Sequence, residues 1–403
     1  MSIRRVSIYG STGSVGRSAA DVILHARQQG IPFEVVALAA GRNAAALADQ
    51  ALELRPQIAV IADETQYPDL KTRLAGSGIE AAAGAAAMSE AAARPCDRFL
   101  AAIVGAAGLE STMAAANAGN PLALANKESL VCAGSILMQA ARRSGVSIMP
   151  VDSEHSAIFQ CIGDGRSLEK LTLTASGGPF REASFETMAQ ATPAQAAAHP
   201  RWNMGQKISI DSATLMNKAL ELIEAAILFD VEASRIDVLV HPQSIIHGMA
   251  HFTDGSVLAQ LGNPDMRTPI SLALGWPDRL ETTVDRLDLG RIGRLDFEEV
   301  DTTRFRSIEL ARMAFGLGPA GPVILNSANE SVVSAFVGGQ CGFLDIPRAV
   351  EAALERFSSS EFASTKCTTL DEVAFLDRFG RTLATEALQD SPGRAGGRAA
   401  WKG

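Results

Sequence analysis

The strongest constraint on the fold is a series of continuous apolar runs, separated mostly by helical segments, in the first third of the chain. The runs cover residues 6–9, 33–40, 58–62, 99–104 and 121–125. Strands that are apolar on both sides are typical of parallel sheets with helices on both faces. The pattern therefore predicts an α/β domain with a doubly wound parallel sheet over residues 1–148. The alanine-rich stretch 80–93 is interpreted as a loop and a helix of this domain.

The first run leads directly into a glycine-rich loop, Gly10-Ser11-Thr12-Gly13-Ser14-Val15-Gly16, and then into a helix. Glycines let the backbone turn tightly and approach a pyrophosphate, whose charge is favoured by amides at a helix N-terminus. The loop predicts a Rossmann-like, dinucleotide-binding domain. An ordinary turn is the alternative, because this spacing alone is a weak signal.

An arginine follows the second run, in the sequence Gly41-Arg42-Asn43. NAD-binding folds usually place an acid here to bind the ribose 2′-hydroxyl, whereas a guanidinium can bind a 2′-phosphate. Arg42 therefore favours NADP(H) over NAD(H). The alternative is a solvated loop arginine.

Polar clusters follow two other apolar runs. Asn126-Lys127-Glu128-Ser129 comes after residues 121–125, and Asp152-Ser153-Glu154-His155 comes after residues 146–151. In open α/β sheets, ligands bind beyond the carboxyl ends of the strands. Two carboxylates at i and i+2 are hard oxygen donors that suit Mg²⁺ or Mn²⁺. Either cluster could instead cap the helix that follows it.

A helix is predicted over residues 211–229, with Thr214, Asn217, Lys218 and Glu221 on one narrow polar stripe. Its other faces are apolar, so we expect the stripe to face a wet cavity inside the protein. Glu221 could then add a third carboxylate to Asp152 and Glu154, with Lys218 and Asn217 directed at an anionic substrate. A solvated helix face is the alternative.

Two loops are further candidates. Ser176-Gly177-Gly178 follows a strand at 171–175 and could offer a hydroxyl and amides to an anion, or form a simple glycine turn. The loop 199–207 carries Trp202, which either covers a bound substrate or packs into its own domain.

The rest of the chain is predicted to complete an α+β catalytic domain and a helical bundle. Strands at 236–240, 244–252 and 256–261 indicate a mainly antiparallel sheet within a catalytic domain of residues 149–275. Its face with His247, Met249 and His251 is interpreted as a subunit interface. A connecting arm (276–301), a C-terminal helical bundle (302–388) and a disordered tail (389–403) follow.

Charge and cysteine usage limit the partners and the compartment. The net charge of −9 argues against nucleic acid or an anionic membrane surface as a partner. We expect no leader peptide, because the sequence starts with a strand and shows no basic segment followed by an apolar one. We expect no membrane span, because no apolar run is long enough. Five scattered cysteines without a C-x-x-C pair indicate reduced thiols in the cytoplasm.

Seven segments, taken in order, resemble the 1-deoxy-D-xylulose 5-phosphate reductoisomerase family. They are residues 10–16, 125–130, 151–155, 176–181, 199–205, 211–218 and 241–247. The resemblance extends over the chain up to the tail. It implies a homodimeric cytoplasmic enzyme of non-mevalonate isoprenoid biosynthesis. This enzyme rearranges and reduces 1-deoxy-D-xylulose 5-phosphate to 2-C-methyl-D-erythritol 4-phosphate.

The resemblance also implies roles for individual residues. NADPH is expected at Thr12, Gly13, Ser14, Val15, Gly41, Arg42, Asn43, Asn126, Glu128 and Gly205. A divalent metal (Mn²⁺ or Mg²⁺, with Co²⁺ as a further candidate) is expected on Asp152, Glu154 and Glu221. The expected substrate contacts are Lys127, Ser153, Glu154, Ser176, His199, Ser212, Asn217, Lys218 and Glu221. Among all of these, the catalytic residues are Lys127, Asp152, Glu154, His199 and Glu221.

Two alternatives remain. One is a catalytically inactive NADP-binding regulator, which would be expected to lose the three carboxylates. The other is another NADP-linked sugar-phosphate or semialdehyde dehydrogenase. Such an enzyme would use a catalytic cysteine or a simple acid–base pair and no metal. None of the five cysteines lies in a motif, which argues against a thiol mechanism.

Overall fold

The computed structural model describes residues 3–202 and 204–390, and this part of the chain forms two units. The first unit contains residues up to 130, 136–174 and 243–296, and the second contains 131–135, 175–242 and 297 onward. The predicted tail lies outside the described residues from position 391, whereas Gln389 and Asp390 belong to the last helix. The functional division into five segments stays a prediction.

The first unit contains a seven-stranded parallel sheet. Its strands are β1 (Arg4–Tyr9), β2 (Phe33–Ala40), β3 (Ile58–Ile61), β4 (Glu80–Ala83), β5 (Arg98–Ala101), β6 (Leu122–Leu124) and β7 (Ile148–Pro150). In the order β4-β3-β2-β1-β5-β6-β7, strands β2 to β4 follow one another on one side of β1, and strands β5 to β7 follow one another on the other side. The connecting helices are α1 (Ser14–Gln28), α2 (Ala44–Leu54), α3 (Tyr67–Arg73), α4 (Gly84–Ala92), α5 (Leu109–Asn117) and α6 (Lys127–Ser144).

The apolar runs form strands because both of their sides are covered. Every residue of β3 is buried, and in β2 only Glu34 is not fully buried. The expectation of a loop at the start of the alanine-rich stretch is wrong, because residues 80–83 form β4 and pair in parallel with β3. Alanine has low strand propensity, so only the pairing of the backbone with β3 makes this edge segment a strand.

A second sheet is mainly antiparallel. It follows α7 (Ser153–Cys161) and includes β8 (Leu168–Ala175), β9 (Ile236–Val240), β10 (Ile246–Phe252), β11 (Val257–Leu261) and β12 (Glu298–Glu299). In the first unit β10 pairs with both β8 and β11. In the second unit β12 pairs with β9.

The predicted interface face of this sheet is not exposed. His247 and Met249 are 7% and 9% exposed, so the expectation that this face is open to a second subunit is wrong. Period-two alternation finds residues on one face but cannot tell which neighbour covers that face. The exposed apolar residues are instead Val257 and Leu258, at 48% and 52%, on the edge strand β11.

Helices make up most of the second unit and the rest of the first. They are α8 (Phe185–Ala189), α9 (Pro193–Ala196), α10 (Gln206–Ala213), α11 (Met216–Phe229), α12 (Arg267–Gly275), α13 (Leu289–Ile292), α14 (Ser307–Gly316), α15 (Ala320–Val337), α16 (Asp345–Ser358) and α17 (Leu370–Asp390). The last four form the predicted bundle, with α15 in contact with the other three. In α16, Ile346, Ala349, Val350 and Ala353 make a buried stripe at helical spacing. The predicted fold class is confirmed.

The single helix predicted over residues 211–229 is interrupted. Helix α10 ends at Ala213, and Leu215 has φ of 60°, in the left-handed region that branched and bulky residues rarely adopt. The Thr214 hydroxyl donates to the Ile210 carbonyl at 3.2 Å and accepts from the Met216 amide at 3.3 Å. Apolar periodicity continues through such a break, which is why it predicted one helix. Thr214 therefore lies before the helix that carries Asn217, Lys218 and Glu221.

No helix among residues 3–202 and 204–390 is long and apolar enough to cross a membrane.

Candidate active site

A cleft of about 400 Å³ lies at the carboxyl end of the parallel sheet. It is lined by residues that follow β1, β2, β3 and β5, including Gly10, Gly13 and Gly41. Gly10 has φ of 85°, and a Cβ on it would lie 2.3 Å from the carbonyl oxygen of Ala102. Only glycine lets the loop after β1 approach the end of β5 this closely. In the sheet, β1 lies between β2 and β5, so the strand order reverses at β1 and the cleft lies at this reversal. Dinucleotides usually bind at such a position.

Arg42 stands at the end of β2 with its side chain 88% exposed, and its Nε lies 3.5 Å from Asp63 Oδ2. Asn43 caps α2, because its Oδ1 accepts a hydrogen bond from the Ala46 amide at 2.9 Å. Thr12 and Val15 are half-buried in the loop after β1, whereas Ser14 is exposed. The expected cofactor residues of the first two loops thus gather at one edge of the sheet.

Several residues that line the cleft were not found from the sequence. They are Ala40, Ala62, Ala85, Met88, Ser89, Ala102, Ile103, Val104, Ala107, Glu110 and Ser111. Most are small or apolar and carry no chemical signal. Ala62 and residues 102–104 directly follow β3 and β5 and lie at the ends of the predicted apolar runs, so the rule that ligands bind beyond strand ends could have found them.

Asn126 and Lys127 follow β6, and both are buried. The Asn126 amide donates to the carbonyl of Gly105 at 2.8 Å, and its Oδ1 accepts from the Ser129 amide at 2.8 Å. Asn126 therefore caps α6 and fastens it to the loop after β5. The Lys127 ammonium forms an ion pair with Asp152, which joins the end of β6 to the end of β7.

Asp152, Ser153 and Glu154 form the turn from β7 into α7. Asp152 Oδ1 accepts from the Ser153 amide at 3.0 Å, so Asp152 is the N-cap of this helix. Its Oδ2 faces Lys127, and Ser153 Oγ donates to Glu154 Oε2 at 2.5 Å. The capping interpretation is thus correct for Asp152, and it leaves the Asp152 carboxylate beside Lys127 and the Glu154 carboxylate beside the Ser153 hydroxyl. Two acids on this turn, with a lysine from the neighbouring strand end, can hold a hard cation and a polar substrate.

In the second unit, Ser176 begins the turn after β8. Gly177 and Gly178 have φ of 82° and 67°, and a Cβ on Gly178 would lie 2.8 Å from the carbonyl oxygen of Ser212. The turn therefore packs directly on the end of α10. This contact places the turn that begins at Ser176 against the backbone of Ser212. That the two serines share an anion stays a prediction.

His199 is held between this turn and its own loop. Its Nδ1 accepts hydrogen bonds from the amides of Trp202 at 2.8 Å and Arg201 at 3.2 Å. The ring proton therefore lies on Nε2, which donates to Ser176 Oγ at 2.8 Å. Burial and the nearby Lys218 ammonium lower the pKa of His199 to about 4. His199 is therefore a neutral donor near pH 7.

Helix α11 buries charged side chains. Lys218 is 4% exposed and Glu221 is fully buried, so the alternative of a solvated stripe is wrong. The Lys218 ammonium forms an ion pair with Glu221, and the Asn217 amide donates to the same carboxylate. Gly205 is the exposed N-cap of α10, and Trp202 is half-buried, so its role as a cover stays a prediction.

The first unit thus combines a dinucleotide cleft with two carboxylates and a lysine at neighbouring strand ends, and the second buries a lysine and a histidine that is hydrogen-bonded to a serine. These features are typical of an oxidoreductase that acts on a small molecule. Family models support this class. The model described as 1-deoxy-D-xylulose 5-phosphate reductoisomerase matches residues 6–134, and its C-terminal domain models match 148–229 and 261–383.

Individual relatives agree. The chain is 55% identical to the 1-deoxy-D-xylulose 5-phosphate reductoisomerase of Rhodospirillum centenum, over 96% of this chain and 94% of that one. The Caulobacter vibrioides enzyme of the same name is 49% identical, over 97% and 98%. A solved structure of the Zymomonas mobilis enzyme in complex with NADPH has a TM-score of 0.89 and 45% identity, over 97% of this chain and 100% of that one.

A solved reductoisomerase in complex with NADPH, fosmidomycin and magnesium also has a TM-score of 0.89, at 39% identity, over 96% of this chain and 98% of that one. The chain belongs to the 1-deoxy-D-xylulose 5-phosphate reductoisomerase family. The resemblance and the enzyme class predicted from the sequence are confirmed, and the alternative dehydrogenases are not favoured.

The lowered pKa of His199 predicts a pH-dependent stability. The unfolded imidazole takes a proton near pH 6.5, whereas the folded one does so only near pH 4. Between these values the unfolded chain binds more protons, so the free energy of unfolding falls as the pH is lowered through this window. His199→Gln removes the titrating group. We expect the variant to lose less stability than the parent between about pH 7 and about pH 5 in urea unfolding. An equal loss in both proteins would contradict this assignment.

Proposed function

We propose that the protein catalyses the NADPH- and metal-dependent conversion of 1-deoxy-D-xylulose 5-phosphate to 2-C-methyl-D-erythritol 4-phosphate. The observation that carries this proposal is the match to the family along nearly the whole chain, with the expected residues at the strand ends. The reaction is the committed step of non-mevalonate isoprenoid synthesis, as the family resemblance implies. It takes place in the cytoplasm, a proposal that is supported by five cysteines none of which forms a disulfide.

The cleft at the parallel sheet fits NADPH. Its glycine loop lets backbone amides approach a pyrophosphate, and a guanidinium is exposed beside it. Two solved relatives are complexes with NADPH. The residues proposed to hold it are Thr12, Gly13, Ser14, Val15, Gly41, Arg42, Asn43, Asn126, Glu128 and Gly205.

A divalent metal is proposed to bind Asp152, Glu154 and Glu221. All three are carboxylates, the donors that Mg²⁺ and Mn²⁺ prefer, and two of them share the turn before α7. Two solved relatives are described as complexes with magnesium. The bound ion supplies a Lewis acid that polarises the substrate ketone.

The phosphate of the substrate is proposed to bind Ser176, Ser212, Asn217 and Lys218. His199 Nε2 and the Gly178 amide both donate to Ser176 Oγ, at 2.8 and 3.2 Å. Because those donors occupy its lone pairs, the Ser176 hydroxyl proton points away from them and can be donated to a phosphate oxygen. Neutral His199 thus orients Ser176, while Lys218 supplies the positive charge.

The reacting part of the substrate is proposed to lie over the turn before α7. There Ser153 and Glu154 can hold sugar hydroxyls, and Lys127 can stabilise negative charge on a sugar oxygen. Burial strengthens these interactions, because the local dielectric constant is lower than in water. The proposed catalytic residues are Lys127, His199 and the three carboxylates of the metal site, Asp152, Glu154 and Glu221.

A homodimer is proposed, with β11 at the interface. Val257 and Leu258 are exposed apolar residues on an edge strand, which soluble proteins usually cover or interrupt with charge. A second copy of the chain would cover this edge by antiparallel pairing about a twofold axis.

The first prediction of this proposal concerns the choice of cofactor. Arg42→Ala removes a charge-assisted hydrogen bond to the 2′-phosphate, worth about 1.5–3 kcal/mol. We expect the KM for NADPH to rise about tenfold to 100-fold and the KM for NADH to stay unchanged. Arg166→Ala is a matched control, because that side chain is 87% exposed. Equal changes for both cofactors would contradict the role of Arg42.

The second prediction concerns the metal. Oxidation of NADPH should depend on added 1-deoxy-D-xylulose 5-phosphate and should stop with EDTA. Glu221→Gln keeps the shape of the side chain and removes a charged ligand, so activity should fall severely. Because a ligand that binds only the folded state raises its stability, Mn²⁺ should raise the Tm of the parent far more than that of the variant. An unchanged Mn²⁺ response would exclude Glu221 as a ligand.

The third prediction concerns the dimer. Leu258→Lys places a charge on the exposed edge of β11, so sedimentation velocity should show a shift from dimer to monomer. Leu289→Lys is the matched control, since Leu289 is 55% exposed outside this strand. A parent that sediments as a monomer, or a Leu258→Lys variant that stays dimeric, would remove the proposed interface.

A further inference from the structure

Asp211 is a buried carboxylate to which the proposed chemistry gives no role. It lies on α10 and is 1% exposed. Its Oδ1 accepts a hydrogen bond from Asn329 Nδ2 at 2.8 Å, and its Oδ2 forms an ion pair with Lys207 Nζ at 2.8 Å. Both carboxylate oxygens are therefore occupied by groups from α10 itself and from α15 in the helical bundle.

A second hydrogen bond from the bundle is made about one helical turn further along the chain. Ser307 Oγ, at the start of α14, donates to the carbonyl of Thr214 at 2.7 Å. Thr214 is the C-cap of α10, and Leu215 then takes the left-handed conformation. Two hydrogen bonds from the bundle thus hold the break between α10 and α11. Asn329 binds Asp211 on α10, and Ser307 binds the carbonyl of Thr214 at the break itself.

These hydrogen bonds surround the residues that are proposed to bind phosphate. Ser212 follows Asp211 directly, and Asn217 and Lys218 lie in the first turn of α11 after the break. The direction of α11 relative to Ser212 depends on the backbone at Thr214 and Leu215. We expect the loss of either hydrogen bond to move the hydroxyl of Ser212 relative to the Asn217 amide and the Lys218 ammonium, which are proposed to share its ligand.

A buried carboxylate is a poor way to gain stability alone. Removing it from water is costly, and apolar side chains of similar size usually stabilise a helix contact as well or better. A carboxylate that accepts from two directed donors does fix one orientation of its helix, because displacement leaves the charge unsatisfied. This argues for a positioning role.

We propose that Asp211, Asn329 and Ser307 are positioning residues through which the helical bundle sets the geometry of the phosphate site. The inference rests on the proposed role of Ser212, Asn217 and Lys218. It assigns to the bundle a part in substrate affinity, with no part in cofactor binding. None of the three residues needs to touch the substrate for this effect.

An exchange of the two partners tests the proposal. Asn329→Asp places a second carboxylate against Asp211, and we expect the KM for 1-deoxy-D-xylulose 5-phosphate to rise about tenfold or more while the KM for NADPH stays unchanged. Asp211→Asn should raise the substrate KM less, since an amide oxygen still faces Asn329. The double variant Asp211→Asn with Asn329→Asp restores an amide–carboxylate pair. Its substrate KM should return to within about threefold of the parent.

Asn326→Asp is the matched control. Asn326 is buried on the same helix, and its amide faces Glu330 at 3.3 Å. We expect both this variant and Asn329→Asp to have a lower Tm than the parent, but Asn326→Asp should leave the substrate KM unchanged. If Asn326→Asp raises the substrate KM equally, or if the double variant is no better than Asn329→Asp, the bundle acts only on stability and the proposal is wrong.

Ser212→Ala separates this outcome from a failure of the phosphate site. An unchanged substrate KM in Ser212→Ala would remove the site itself. A raised KM there, with parent-like values in Asp211→Asn and Asn329→Asp, would overturn only the positioning role.

Discussion

The shared direction of the strands in the parallel sheet is the constraint on which the first unit depends. Parallel strands end at the same edge, so each loop that follows a strand opens toward the same side. The glycine loop after β1, Arg42 after β2, Asn126 after β6 and Asp152 after β7 therefore gather without any long-range recognition between them. Two interactions then connect neighbouring loops. The Asn126 amide donates to the Gly105 carbonyl, and the Lys127 ammonium forms an ion pair with Asp152. The fold supplies proximity, and a few side chains supply the final positions.

Charge compensation is the second organising feature. Asp152 is paired with Lys127, Glu221 with Lys218, and Asp211 with Lys207. Each pair loses hydration on burial, so none is an efficient source of stability. Within each pair, a positive and a negative side chain lie side by side in an environment of low dielectric constant. In such an environment, interactions with a charged ligand are strong. Burial also lowers the pKa of His199, because a buried imidazole beside the positive charge of Lys218 cannot easily accept a proton.

Local chemistry made much of this architecture predictable. Continuous apolar runs located β1, β2, β3, β5, β6 and β7, because strands buried on both faces need apolar residues at every position. Strand β4 was missed, since its alanines become a strand only by pairing with β3. The break at Leu215 was missed because a left-handed residue leaves apolar periodicity intact. The covered face with Met249 was missed because burial depends on a neighbour that the strand's own sequence does not specify.

The same distinction separates residues that bind ligands from residues that place them. Loops after strands can carry several ligand-binding side chains in a short segment, so Asp152, Ser153 and Glu154, which are proposed to bind metal and substrate, form a motif that is visible in the sequence. A helix such as α10 cannot fix its own orientation and must be held by groups from its neighbours. Those groups, Asn329 and Ser307, lie far along the chain and have no local pattern. Substrate affinity in this fold should therefore depend on residues whose importance only the tertiary contacts reveal.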